Sequence, residues 1–568
     1  MSTAASVSAG KQIAGHPVNT RVIMAGVLLA LLLASLDQLV VATAMPKIIT
    51  SLQGFSQYAW VITIYMLTST VTVPIYGKLS DIVGRKAIFL FGISIFLIGS
   101  ALSGTAQTMT MLIVFRGLQG FGAGAIMPIA LAIVGDLYPP KERGKIQGLT
   151  GAVAGISSIL GPSLGGWITD GPGWRWVFYI NIPLGIVTLI VLVLTMPALR
   201  PVGTHSTVDW PGAGLLTAWT VPLLLAFTWA GSTYAWGSAQ IIGLLVLTVV
   251  MIVAFFVYET HAEQPILDPS LFRNVIFADS VLITVLIGAG MFGAISYIPL
   301  FLQGVVGVSA TSSGAALTPL MLTAIVGSVL GGQLMSRWGR YRLISLAGLL
   351  AMIGGMGLLV RLTVDSGQSE VVTGMIVLGF GLGFGLSLYT IVVQNAFPNE
   401  RLGMVTSALT FFRSIGGTIG VAIMGSFLTG HFSGALHANL PASVKAQLPE
   451  PVLSKFDNPL VLLSAQGQRI LDTTFAHLPH GAALRGPFLT ALKEALTSSL
   501  HDVFLVGLII AALGAVAALF LKEIPLRDSN VTAPVDPISE AGIDAGRASP
   551  SGAPTGVLTA AGAGEGRA

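Results

Sequence analysis

Fourteen apolar runs recur along this chain, each about long enough to cross a bilayer, and they limit its fold before any motif is considered. A helix needs roughly 20 residues at 1.5 Å each to cross a hydrocarbon core of ~30 Å. The runs fall near 22–45, 58–77, 87–106, 109–134, 146–168, 177–198, 210–230, 238–258, 275–303, 312–335, 342–361, 371–395, 402–428 and 502–521. No water reaches the backbone inside a bilayer, so only helices or a closed β-barrel can span it. Barrel strands would alternate apolar and polar residues over about ten positions. These runs are instead continuously rich in Gly, Ala, Leu, Val and Ile. The expectation is an all-α membrane protein with fourteen transmembrane helices. Composition agrees: 53% of the 568 residues are hydrophobic and 9% are charged, against about 25% charge in a soluble domain. The chain has no cysteine, which excludes disulfides, thiolate catalysis and Cys-based metal sites.

Loop charges set the orientation. Arg and Lys gather after run 2 (Lys78, Arg85, Lys86), after run 4 (Lys141, Arg143, Lys145) and after run 10 (Arg337, Arg340, Arg342). The short loops between them carry only Lys47, Arg175 and Arg361. By the positive-inside rule the even-numbered helices end in the cytoplasm, and both termini lie there, in a cell inner or plasma membrane. The net charge of +4 resides in these loops and forms no nucleic-acid patch. The polar start MSTAASVSAGKQIAGHPVNTR lacks the apolar core of a signal peptide. Residues 1–20 and 526–568 are expected to be disordered cytoplasmic ends, the latter rich in Ala, Gly, Pro and Ser. Residues 430–500 make the long external loop, where PFLTALKEALTSSLHDVF suggests an amphipathic helix at the outer surface.

The chain also repeats itself. At an offset of 259, Gly120, Gly122, Gly124, Pro139, Gly144, Gly161 and Gly166 fall on Gly379, Gly381, Gly383, Pro398, Gly403, Gly420 and Gly425. At 255, Gly77, Gly84 and Arg85 fall on Gly332, Gly339 and Arg340. The displacement is eight helices, an even number, so the repeats run parallel. Residues 21–200 and 263–525 then form two six-helix halves, with helices 7 and 8 (201–262) inserted between them. Such halves can rock about a midplane site.

Five segments carry a family resemblance. GKLSDIVGRK (77–86), LIVFRGLQGFGAG (112–124) and AGISSILGPSLGGWI (154–168) resemble signatures of the major facilitator superfamily. LDQLVVATAMPKI (36–48) and WRWVFYINIPLG (174–185) are similar to marks of its fourteen-helix drug:proton antiporter branch. The likeness spans about residues 20–525, with Ser157 standing where the antiporter signature usually has glycine. It implies a major facilitator fold and a cytoplasmic latch. Gly77 and Gly84 flank a tight turn presenting Asp81 and Arg85, which cluster with Asp136, and Asp81 also faces the start of helix 13. A helix N-terminus carries about half a positive charge and suits a carboxylate. A purely topogenic basic loop is the other reading of this motif. Ser336 replaces the aspartate in the second half, so gating control is expected to be lopsided. The run Gly161-Pro162-Ser163-Leu164-Gly165-Gly166 combines a kink with small residues that allow close helix packing. The resemblance associates it with export.

Asp37 is a lone carboxylate inside run 1. A charge at bilayer depth costs roughly 2.5–3.5 kcal/mol even on the lenient insertion scale, so it points to function. It lies about 22 Å above the cytoplasmic start of its helix, and Arg116 lies about 10 Å below the outer start of helix 4. The two share a depth in the outer half of the membrane. Both helices line the cavity in the resembled fold. Asp37 is therefore the expected proton-coupling carboxylate, with Arg116 its partner. Arg413, near mid-membrane, leaves three readings open: a carbonyl partner, an anionic part of the cargo, or a brace between helices. Gln38, Tyr65, Gln119, Tyr297, Tyr389, Phe411 and Phe412 fall on expected cavity helices, where amide and aromatic groups suit a mixed polar and apolar ligand.

No P-loop, H-E-x-x-H or nucleophile motif occurs, which disfavours an ATP-driven pump and a membrane enzyme. The expected function is proton-coupled export of amphipathic small molecules by alternating access, without metal or cofactor, by a monomer in the lipid bilayer. An exporter of a physiological lipid, siderophore or sugar is the alternative on the same fold. A membrane-embedded sensor or enzyme is the alternative from another class.

Overall fold

The computed structural model describes residues 12–13, 16–17, 20–53, 57–197, 207–231, 233–308, 317–457, 465–477 and 481–527. Its long helices are α1 (Thr20–Leu52), α2 (Tyr58–Val83), α3 (Arg85–Thr105), α4 (Met109–Leu137), α5 (Pro140–Asp170) and α6 (Trp176–Thr195, broken at Ile180). They continue with α7 (Trp210–Trp229), α8 (Ala239–Glu259), α9 (Val275–Phe301), α10 (Thr318–Trp338), α11 (Tyr341–Val360), α12 (Gln368–Ala396), α13 (Leu402–Asn439) and α14 (Gly481–Ala518). Gln12–Ile13 and His16–Pro17 pair as a two-rung antiparallel ladder. The rest of 1–19 and everything after 527 lie outside the described residues, and with them most of the expected disordered ends.

Local chemistry explains where helices start. Thr108, Asp209, Ser238 and Asn274 cap α4, α7, α8 and α9 by accepting from backbone N–H groups of the first turn. Each cap is worth about 1 kcal/mol. Pro140 opens α5, where its missing N–H leaves nothing unsatisfied. Gly84 separates α2 from α3 at φ 108°, a conformation that penalises any side chain.

Among the described residues thirteen helices are long and apolar enough to cross a membrane. The remaining expected span, 146–168, lies within α5, a 31-residue helix. Its interior is diluted by Gly and Ser, so it is the least apolar of the fourteen. Two helices outgrow their expected spans the most, since α13 runs to Asn439 and α14 starts at Gly481. Their extended parts pack into one apolar cluster. Phe432, Leu436, Phe488, Leu492 and Leu496 are buried in one apolar cluster with Phe456 and Phe475 of the intervening segment. The amphipathic stretch near 487–504 is thus the first part of α14, its apolar face turned to protein.

Packing divides the helices into an N-terminal group, where α1 meets α5 and α6, and α4 meets α2 and α3, and a C-terminal group. In the latter α9 meets α13 and α14, while α12 meets α10 and α11. The repeated glycines do the same work in each group. A Cβ on Gly120 or Gly124 would strike α2, and one on Gly122 would strike α3. The repeat mates Gly379 and Gly383 lie against α10, and Gly381 against α11. The groups join through α2 with α13 and α5 with α10.

Helices α7 and α8 pack on each other, and α7 also touches α2 and α13 from outside that joint. Their faces differ as the sequence period requires. Ile241, Thr248, Phe255 and Glu259 of α8 are buried, while Val246, Val249, Val250, Val253 and Val257 form one exposed stripe. Val249→Thr and Val253→Thr are therefore expected to leave the ratio of uptake of two cargoes unchanged within about twofold, with stability changing by under about 1 kcal/mol. A changed ratio in proteoliposomes would assign this stripe a place in recognition.

Candidate functional site

The ion pair forms. Asp37 on α1 is 1% exposed, and its Oδ2 accepts from Arg116 Nη1 on α4 at 2.7 Å. Its Oδ1 accepts from Gln119 Nε2 at 2.8 Å and from Asn181 Nδ2 of α6 at 2.8 Å. Arg116 also donates to Gln119 Oε1 at 2.8 Å, since a spacing of three puts both on one helix face. The Tyr65 ring of α2 lies 4.1 Å from the Arg116 guanidinium carbon, a cation–π contact. Three donors thus converge on one carboxylate away from water. Such a pair is held by its hydrogen bonds as much as by charge. Protonating Asp37 would remove the charge that Arg116 answers.

Asn181 was not singled out by sequence reasoning, although it lay in a quoted motif. The same depth arithmetic would have found it. It lies five residues into α6, about 7 Å from the start, near the depth of Arg116. It also donates to Ser100 Oγ at 3.0 Å, tying α6 to α3. The glycine run of α5 rides directly on α1 beside the pair. A Cβ on Gly161 would come 2.6 Å from Leu39 Cβ, and one on Gly165 would meet Val40 and Thr43. Gly166 has open space around it. The backbone at Pro162 is helical, while its side chain lies outside the described residues.

A second polar cluster occupies the end of the molecule that holds the basic loops. Arg85 pairs with Asp81 and, through Nε, with Asp136 Oδ2 at 3.0 Å, and donates to Ser80 Oγ at 2.6 Å. Asp81 crosses to the other helix group, accepting from Gly403 N at 3.0 Å and Met404 N at 2.8 Å. Those N–H groups open α13, whose own N-cap side chain makes no capping bond. Asp81 therefore caps a helix it does not belong to. Gly77 and Gly403 permit the approach, because a Cβ on either would collide with the other's backbone.

The repeat produces a matching contact with different chemistry. Gly332 on α10 meets Gly144 on α5 backbone to backbone, and these are the repeat mates of Gly77 and Gly403. Ser336, in the place of Asp81, turns back to its own Gly332 carbonyl at 2.9 Å. The joint is tied instead by Arg143, fully buried, which donates to Gly135 O at 2.7 Å and to Gln394 Oε1 of α12 at 3.2 Å. Gln394 in turn donates to Leu131 O of α4 at 3.2 Å and to Thr406 Oγ1 of α13 at 3.0 Å. Beyond α14, Arg527 donates to the Gln394 and Phe397 carbonyls at 3.0 and 2.6 Å. Burial lowers the pKa of its guanidinium, with nearby Glu400 acting against that shift.

Of the other expected cavity residues, Tyr389 and Arg413 line one small cavity, and the rest do not line it. Gln38 is exposed beside Asp37. Tyr297 donates to Val421 O at 2.8 Å, and Tyr389 is buried and bonded to Ser345. Phe411 is buried against Trp219 of α7 with ring centroids 5.5 Å apart, and Phe412 lies between Phe411 and Phe272. These two rings therefore belong to an aromatic cluster that seats α7. Arg413 stays half-buried beside a small cavity between α9, α12 and α13, with Met127 Sδ of α4 3.8 Å from Nη2.

Comparison with known proteins agrees with this architecture. The chain is 41% identical over 519 residues to the multidrug transporter protein MdtP of Bacillus subtilis, covering 90% of this chain and 95% of that one. It is 39% identical over 505 residues to multidrug resistance protein 3 of the same organism, covering 89% and 96%. The solved structure of the proton:xylose symporter XylE superposes with a TM-score of 0.56 at 14% identity, over 89% of this chain and 97% of that one, which speaks to the fold alone. The profile of the Major Facilitator Superfamily matches residues 27–421. With that match and those helices, the chain is a multi-pass membrane protein and belongs to the major facilitator superfamily.

Proposed function

We propose that this protein is a proton-coupled exporter of amphipathic small molecules that works by alternating access. The observation that carries the reading is the buried Asp37, held by Arg116, Gln119 and Asn181 on a helix against which the glycine run of α5 packs. Relatives named as multidrug transporters support the cargo class. The architecture we propose has all fourteen helices crossing the membrane. Helices α1–α6 and α9–α14 form parallel halves, α7 and α8 are inserted, and the protein acts as a monomer in the cell inner or plasma membrane. The repeat-related glycine contacts support a two-fold relation between the halves. The basic end faces the cytoplasm by the positive-inside rule, which puts both termini there.

In this arrangement the cytoplasmic end is shut by the Asp81 cap and the Arg143–Gln394 bridge. A proton from outside reaches Asp37, neutralises it and loosens Arg116, Gln119 and Asn181 together. Cargo leaves outward in that state. Rocking of the halves then breaks the latch, the proton is lost to the cytoplasm, and the recharged site takes up new cargo. Coupling follows if the halves cross readily with either ligand aboard and poorly with Asp37 charged and empty. Purified protein in liposomes with an imposed pH gradient tests this. Cargo accumulation that follows the gradient and collapses with a protonophore is expected. Transport indifferent to the gradient would overturn the coupling.

A further inference from the structure

Arg413 lies eleven residues into α13, about 16 Å from its first residue. Among the described residues no carboxylate pairs with it. Its Nη2 lies 3.8 Å from the Met127 thioether, a weak acceptor. Asp37 is committed to Arg116, Gln119 and Asn181. Asp279, the acid on α9, is five residues from Thr284 and so about 140° round the helix from it.

The cavity beside Arg413 is lined by Thr284, Ile287, Tyr389, Leu409 and Thr410. Thr284 is 7% exposed, and its hydroxyl has no hydrogen-bond partner. Ser280, one turn earlier, is fully buried with its hydroxyl also unmatched. Two independent features therefore agree: a guanidinium without a counter-ion and a buried donor without an acceptor. A half-buried cation at this depth is stabilised by an anionic partner. Guanidinium forks recognise carboxylates and similar oxyanions in particular.

We propose that Arg413 and Thr284 form a subsite for an anionic group on the cargo. The exported class is then amphipathic organic acids. This rests on the exporter reading, but its test does not need transport. Binding of pyrenebutyrate, its amide and a matched trimethylammonium probe is measured on protein in phosphatidylcholine nanodiscs, with empty discs subtracted. The carboxylate is expected to bind tightest. Arg413→Gln should weaken the carboxylate by roughly tenfold or more and leave the amide within about twofold. Arg413→Lys, which keeps the charge without the fork, should fall between, and Thr284→Val should weaken the carboxylate by about threefold.

Equal affinity of wild type for all three probes overturns the proposal. So does an Arg413→Gln protein that melts normally and binds the carboxylate as before, or one that loses all three probes alike. The last result would make Arg413 a brace. Abolition of Arg413-dependent binding in phosphatidylglycerol discs would assign the subsite to a lipid headgroup and overturn the cargo assignment. Intact carboxylate binding without gradient-driven transport would count against the exporter reading alone.

Discussion

Asp37→Asn protein is expected not to concentrate cargo under a pH gradient. The substitution keeps the shape of the side chain and removes the proton-binding group. The amide mimics the protonated, cargo-releasing form, so cargo binding should weaken and gradient-driven uptake should fall to the leak rate of empty liposomes. Structure complicates the test, because Arg116 loses its counter-ion in a buried place. Removing one partner of such a pair costs about 3–5 kcal/mol. An asparagine amide would also face a donor from Gln119, Asn181 or Arg116. The double variant Asp37→Asn with Arg116→Gln relieves both problems and should recover much of the lost melting temperature. If coupling is the role of Asp37, the double variant is stable and still uncoupled. If the pair only holds helices together, restored stability brings restored concentrative transport, and the coupling assignment fails.

The Asp37–Arg116 pair was legible because depth in a membrane is countable. A rise of 1.5 Å per residue and a fixed core thickness place two side chains on different helices at one level. Rotation about each helix axis is not countable in that way. Phe411 and Phe412 sit on a helix with cavity-facing residues, yet both turn toward the aromatic cluster under α7. Gln38 neighbours Asp37 in sequence but is exposed, while Asp37 is buried. Neighbouring helical positions differ by about 100°, so the two side chains take different surroundings.

Long-range polar contacts were the least legible. Arg143 and Gln394 are separated by 251 residues, and each alone is an ordinary polar residue near a loop. Arg143 looked topogenic, one of three cations after run 4. Only the fold gives it the Gly135 carbonyl and the Gln394 amide. The glycine repeat, by contrast, was legible because close backbone approach excludes every other residue at those positions. A constraint that strict leaves a pattern in sequence, whereas a hydrogen bond that several residue types can make does not.

That difference bears on the latch, which unites both kinds of constraint. Asp81→Asn should shift the basic end toward opening. The aspartate holds two N–H groups of α13 and the Arg85 guanidinium. Asparagine retains one acceptor oxygen, so at least one charge-assisted bond is lost, worth about 1.5–3 kcal/mol. At 1.4 kcal/mol per factor of ten, the open-to-closed ratio rises by roughly 10- to 100-fold. The chain's lack of cysteine makes this readable, because a single introduced thiol has no background. Ser328→Cys suits the purpose, since Ser328 is 3% exposed on α10 opposite Gly151 of α5. An impermeant maleimide added to inside-out vesicles should label it faster in the Asp81→Asn protein. Arg85→Ala should do the same less strongly, since Asp81 would keep both backbone bonds. The second joint has no carboxylate cap, because Ser336 faces its own helix, so Ser336→Ala should leave labelling unchanged. Equal labelling rates in all four proteins would return the 77–86 motif to a role in topology alone.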